Sequence, residues 1–451
     1  MNFRNIIFFG LHLLWGIGVA QNKGMTYYWG LFVLGVGLVD IIVNQNRYNR
    51  AALWAGYFMG MEVFLRMTST SFFWEIGKYG IIFLLLSGLI VEKFNRPRPD
   101  SYIWYFLFLL PSIFVVDFPD FDIFRQQVSF NLSGPLSLAI AAIYFYNRQL
   151  NFSELTNLMR IVVLPLSAML VYIILATPNI ETIRFSTQSN YAASGFGPNQ
   201  VSTMLGLGAL FVGISIFYRL KLTGNYLTDI LLFSGFVLRG LFTFSRGGLI
   251  SAILALVVMF VFFSLLSGKG RGWLGYSMLF LLVVAGISYA VWDYANEATN
   301  DMLKYRYLGI NPISNKEEDI TSRRWDILLS ELDAFTKKPI FGIGPGMEKY
   351  NQSLKVKNAN SHSEVTRLFA EHGLFGILSL SIMISVPILY IRRRHHALKP
   401  IVIAFFLLSI LTMLHSAMRL AMPGFLYGLA MILPLETGKA ITTKTPYAPP
   451  S

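Results

Sequence analysis

Apolar residues in this chain arrive in blocks of about 17 to 22, the length that lets a helix rising about 1.5 Å per residue cross a hydrocarbon core about 30 Å thick. A helix satisfies its own backbone polar groups, which lipid cannot do for it. The blocks therefore predict an all-α, polytopic transmembrane bundle. Composition agrees: 54% of the 451 residues are hydrophobic and 14% are charged, whereas soluble domains carry about 25% charged residues. A soluble fold of this length could not hide so much apolar surface.

Spans are expected at about 3–20, 26–43, 50–66, 74–91, 101–117, 131–146, 158–176, 199–217, 226–243, 247–266, 273–292, 366–390, 400–416 and 420–435. The third and the last two are short or charged, so the expected count is 12 to 14. Residues 1–292 then hold the first eleven spans and 293–362 form one large extracytoplasmic loop with short helices. Residues 363–437 hold the remaining spans, and 438–451, Pro-rich, form a disordered cytoplasmic tail.

The net charge of +13 lies mostly in short breaks between apolar runs, where it sets topology and meets anionic lipid rather than nucleic acid. Basic residues concentrate in alternate loops, at Arg47 and Arg50, Lys93 to Arg98, Arg148, Arg219 and Lys221, Lys269 and Arg271, and Arg392 to Lys399. The positive-inside rule makes those loops and both termini cytoplasmic. The opposite face then receives 177–198, the turn Phe244-Ser245-Arg246-Gly247, the long loop and the turn at Arg419. No Walker-type loop occurs, and with no Cys there is neither disulfide nor thiolate chemistry. No His/Asp/Glu set has metal-ligand spacing.

In the long loop, residues 319–336 place Trp325, Leu328, Leu329, Leu332 and Phe335 at helical spacing, with Arg323 and Arg324 at the start. The Gly-rich stretch Phe341 to Gly346 reads as a structural turn rather than a phosphate loop. Ser361 and Glu364 have the spacing of a capping box, which puts His362 in the first turn of a membrane helix. The positive end of the helix dipole favours a neutral imidazole there, able to act as a general base.

Among the other histidines, His12 and His372 are expected as contacts within the bundle. His415, at the end of a span, is a candidate to join a site. Glu62 and Arg66 are spaced for an ion pair. Arg246 sits in a turn too short to be a loop, where a guanidinium can bind phosphate or snorkel to head groups. Glu364, Arg367 and Glu371 share one helix face, as a rim that orients His362 or as a plain polar face. Asp117, Asp120 and Asp122 read as a solvated loop, as do Glu317, Glu318 and Asp319.

Four motifs, in order, resemble the O-antigen ligase and polymerase superfamily. They are Gly197-Pro198-Asn199-Gln200; Ser245-Arg246-Gly247-Gly248; Arg324 followed by Pro339-Ile340-Phe341-Gly342-Ile343-Gly344; and the run from His362 to Gly376 (HSEVTRLFAEHGLFG). Ser363 stands where that family often has Asn.

The resemblance implies an inverting, metal-independent and cofactor-free glycosyltransferase of the bacterial inner membrane. Its donor would be an undecaprenyl-diphosphate-linked glycan. Its acceptor would be lipid A-core for a ligase, or a second lipid-linked glycan for a polymerase, and other polysaccharide-assembly membrane proteins are possible partners. Carried over, His362 is the base, and Arg246 and Arg324 hold the leaving diphosphate. Arg184, Arg323, Arg367 and Glu364 are further candidates for substrate contact. Arg184 with Gly195 also fits an R-x10-G spacing described for polymerases. The reading from another class is a transporter, which would be expected to show broken helix pairs or symmetric halves; the sequence shows neither.

Overall fold

The computed structural model describes residues 3–69, 74–95, 98–118, 120–177, 193–266, 270–310, 324–350, 361–393 and 398–434. It is all-α and polytopic. The helices are α1 Phe3–Gln21, α2 Met25–Val43, α3 Arg50–Met67, α4 Ile76–Val91, α5 Ser101–Leu107, α6 Phe121–Phe145, α7 Phe152–Ala176 and α8 Pro198–Phe217. They continue with α9 Tyr226–Phe242, α10 Arg246–Leu266, α11 Gly270–Ala298, α12 Met302–Leu308, α13 Arg324–Lys337, α14 Glu364–Arg393, α15 Lys399–Ser416 and α16 Met422–Leu429. Two short strands, β1 Gln149–Leu150 and β2 Leu433–Pro434, pair in parallel with Gln149 opposite Leu433.

Eight of the described helices (α1, α2, α6, α7, α8, α10, α14 and α15) are long and apolar enough to cross a membrane. Their outward faces keep large apolar side chains exposed, among them Leu14, Phe32, Val39, Leu265 and Leu378, as lipid-facing surface requires and water would penalise. The other six expected crossings fall on α3, α4, α5, α9, α11 and α16.

Two of those six differ from the expectation. The block at 101–117 is not one helix: α5 ends at Leu107, and Pro111 opens a separate 3-10 turn over Pro111–Val115. Proline has no N–H to continue the ladder. The block at 420–435 contains only the eight helical residues of α16. It still runs the length of α6. Met418 lies against Gly134, Gly424 against Leu138 and Gly428 against Ala141, and Met431 O accepts the N–H of Asn147 at 3.0 Å. Irregular backbone at this depth is tolerated because protein surrounds it: every residue of α16 is buried.

Buried ion pairs pin both ends of the bundle. At one end Arg66 donates to Glu62 at 2.9 Å and Lys78 meets Glu75 at 2.7 Å, so the expected Glu62–Arg66 pair forms. At the other, Arg148 donates to both oxygens of Glu92 at 2.9 Å and stacks on Tyr144. His12 bonds the Phe8 carbonyl within α1 and the Tyr57 hydroxyl of α3, as expected of a bundle contact.

Candidate active site

The four sequence motifs meet in two pairs. The first pair joins the start of α8 to the start of α10. Ser245 Oγ donates to Asn199 Oδ1 at 2.7 Å, and Ser202 Oγ donates to the Ser245 carbonyl at 2.9 Å. This fixes the turn from which Arg246 projects as the first residue of α10. Arg246 is half-buried, with its guanidinium 5.9 Å from the centre of the Tyr307 ring.

The second pair joins the Gly-rich stretch to α14. That helix kinks at Gly373, whose φ of 59° and ψ of −136° suit glycine alone. Leu374 N–H turns away to the Pro339 carbonyl at 2.7 Å. The carbonyls of Ala370 and Glu371 accept instead from Ile343 N–H at 2.9 Å and Gly344 N–H at 3.0 Å. Gly342, Gly344 and Gly346, all at positive φ, bring that backbone close enough to do this. The Gly-rich stretch is a structural turn, as the sequence suggested. It replaces the hydrogen bonds that the kink removes.

His362 lies just before α14 and is half-buried. Its carbonyl accepts from Ala417 N–H at 3.1 Å, while its Nδ1 is buried and makes no hydrogen bond. A buried ring nitrogen with no partner is free to accept a proton from an incoming hydroxyl. Burial, followed by the charges of Arg419 and Arg324 and by His415, pushes the imidazole down to about 3. The ring is therefore neutral at ordinary pH.

His415 lies beside the first pair of motifs: its ring borders Gly247, and Nε2 is 3.3 Å from Thr203 Oγ1. Its Nδ1 is 2.7 Å from the Leu411 carbonyl. Its approach to Gly247 and its electrostatic interactions with His362 and Arg324 put it between the two motif pairs.

Arg419 was not singled out by sequence as a site residue. Its Nη2 donates to the Ser361 carbonyl at 2.6 Å. Burial, then Arg324, lowers its guanidinium to about 10. The turn that carries it is held on every side. Arg66 Nη1 donates to the Arg419 carbonyl at 3.0 Å, Ala421 N–H to Glu62 at 2.8 Å and Met418 N–H to Glu364 at 3.2 Å. Ala417, at φ 50° and ψ −161°, adopts a conformation that costs a non-glycine residue on the order of 1–3 kcal/mol. No local sequence signal marks Arg419, because its partners Ser361 and Arg66 lie 58 and 353 residues away in the chain.

Glu348 was also missed. Its Oε2 accepts Ser361 N–H at 3.2 Å, and Glu331 on α13 faces it. Burial first, then Glu331 and Glu371, pushes the Glu348 carboxyl well above its ordinary value, and Glu331 is raised as well, again by burial first. Each keeps one oxygen without a donor, so the pair is readily bridged by a shared proton.

This pairing explains one correction. The expected capping box does not form: Ser361 N–H goes to Glu348 and its hydroxyl to the Ser363 carbonyl at 3.0 Å. Glu364 is spent on Arg367 and Met418 N–H. On α13, Trp325 and Leu329 are 60% and 45% exposed, while Ile327, Ser330, Glu331 and Ala334 face inward. The buried face thus mixes Glu331 with Ile327 and Ala334, the latter packed on Ile343 and Ala370.

Glu364, Arg367 and Glu371 form a buried ion-pair row, with Arg367 Nη1 2.6 Å from Glu371. Arg367 borders a cleft beside Ser361. Glu364 is fully buried, so its carboxylate serves the fold rather than open space. His372 is likewise internal, its Nδ1 2.6 Å from Ser112 Oγ. Arg184, Arg323, Glu317, Glu318 and Asp319 lie outside the described residues, as does the stretch of the expected α13 before Arg324. Among the described residues no group of three or more His, Asp or Glu is arranged to hold a metal ion.

Residues 230–381 match the family model described as O-antigen ligase. The match supports membership of the O-antigen ligase family. No curated protein matches the chain, and no solved structure does. The family segment contains Arg246, Arg324 and His362. His415, Arg419 and the α3–α4 ion pairs that brace them lie outside it.

Proposed function

We propose that the protein is a ligase-like membrane glycosyltransferase. It moves a glycan from an undecaprenyl-diphosphate donor to an acceptor hydroxyl, with inversion and without a metal. The observation that carries this reading is the half-buried, neutral His362 of the family segment, fixed by the Ala417 N–H on its carbonyl and lying in the field of Arg419, Arg324 and His415. In this reading the site faces the extracytoplasmic side of a bacterial inner membrane and both termini are cytoplasmic.

His362 takes the proton of the acceptor hydroxyl as its oxygen bonds the anomeric carbon. The bond from that carbon to the diphosphate oxygen breaks, and the lipid diphosphate leaves with the electron pair. Arg246 and Arg324 meet the charge that develops there, which lowers the barrier rather than merely binding donor. Arg184 and Arg323 are proposed as further donor contacts. A seated diphosphate also offsets the cationic field of Arg324 and Arg419 at the imidazole. That raises the basicity of His362 once the donor is in place.

The test is transfer by purified protein in liposomes. His362→Ala is expected to lose about 10²–10⁴-fold in rate, and Arg246→Ala about 10²–10³-fold, with both variants still folded. Full-length glycan left on the carrier in a deletion strain supports ligation; single repeats on the final acceptor would replace that reading with polymerisation.

A further inference from the structure

Two clefts meet at Arg419, and apart from that residue the proposed transfer step uses neither lining. One is bordered by Trp74, Glu75, Asp122, Gln126, Gln127 and Gln200. The other shares Gln127, Phe130 and Arg419 with it as walls and ends at Ser361 and Glu348, beside His362. The first contains no aliphatic side chain: its walls are aromatic, amide, hydroxyl or charged. Such a lining does not suit a lipid chain. Its two carboxylates, Glu75 and Asp122, match its two guanidiniums, Arg125 and Arg419, so it is no diphosphate site either. The guanidiniums of Arg246 and Arg324 fit the diphosphate better.

What the lining does suit is a ligand rich in hydroxyls. Three primary amides each offer donors and acceptors. Two wall residues keep an acceptor oxygen with no partner, Gln200 Oε1 and Glu75 Oε1. Glu75 is only 6% exposed, and its other oxygen is already taken by Lys78 and Ser133. Unpaired buried acceptors disfavour an apolar occupant and favour one that brings O–H groups. Trp74, half-exposed, and Phe130 add flat faces for the C–H surface of sugar rings. On α8, consecutive residues divide the work: Asn199 bonds the Arg246 turn while Gln200 borders this cleft.

We propose that this cleft is the acceptor subsite, seating the sugar rings of the acceptor glycan so that one hydroxyl reaches His362. The inference rests on the transfer reading above. An inverting displacement brings the acceptor in opposite the leaving group, so a separate, uncharged-sugar cleft is what that chemistry needs.

The test is binding of oligosaccharide cut by mild acid from the cell's own surface glycan, followed by saturation-transfer NMR on full-length protein in detergent. Binding is expected in the wild type and in His362→Ala. Trp74→Ala is expected to weaken it about tenfold, with Trp74→Phe restoring it and affinity for the lipid-diphosphate donor held. Wild-type protein that binds no oligosaccharide would overturn the proposal, as would Trp74→Ala binding normally. Equal loss of donor affinity in Trp74→Ala would overturn the acceptor assignment. If His362→Ala transfers glycan normally while Trp74→Ala still loses binding, the catalytic reading fails and the subsite stands.

Discussion

At the scale of single residues, the account turns on an imidazole kept neutral by its surroundings. Burial and the charges of Arg419 and Arg324 hold His362 at about 3, so the free enzyme keeps its base form far below the ordinary value of 6.5. The acid limb of kcat/KM reports the free enzyme and is expected well under pH 6.5. Arg419→Gln removes the largest charged contributor and should move that limb upward; a limb at the ordinary imidazole value in the wild type would contradict this.

Glu348 behaves oppositely. A carboxyl raised on folding contributes stability that is complete below its unfolded value and is lost as pH rises through the folded one. Thermal stability is thus expected to fall as pH climbs above 4.5 through the raised value. Glu348→Gln keeps an acceptor for Ser361 N–H and should flatten that dependence. An unchanged pH profile would show that the pair carries no shared proton.

At the scale of elements, the kink in α14 and the Gly-rich turn are one unit. Gly373→Ala would place a Cβ 2.6 Å from the Ile340 carbonyl and 2.7 Å from Gly342 N, at a φ and ψ that L-residues avoid. A loss of about 1–3 kcal/mol is expected from strain alone, read as a lower Tm; an unchanged Tm would remove the kink's structural role.

Helices were legible in the sequence wherever apolar runs were long and uninterrupted, because lipid leaves the backbone no alternative. The faces of short helices were not. α13 turns Glu331 inward with Ile327 and Ala334, and Trp325 outward. The capping box failed because Glu348, from the preceding turn, took the N–H that the local pattern assigned to Glu364. The motifs gave His362, Arg246 and Arg324, but not His415 as their link or Arg419 as the clamp on Ser361. Those roles exist only once α15 and the segment after it lie beside α14 and α10.

At the scale of the molecule, α6 and the irregular segment after α15 run side by side from the His362 end to the β1–β2 end, giving the bundle a polarity. The proposed topology has the His362 end outside, as charge alternation leads one to expect. The chain has no Cys, so a single introduced one reports its own side. Trp325→Cys is expected to react with an impermeant maleimide in intact cells, and Arg392→Cys only after permeabilisation. The reverse pattern would invert the topology and move the site to the wrong face.

The most direct measurement is single-turnover transfer by purified protein in liposomes, from a lipid-diphosphate-linked glycan to extracted acceptor, comparing wild type with His362→Ala. The account predicts product from the wild type and a rate at least about 10²-fold lower in the variant, at unchanged Tm. Transfer by a well-folded His362→Ala at the wild-type rate would contradict it.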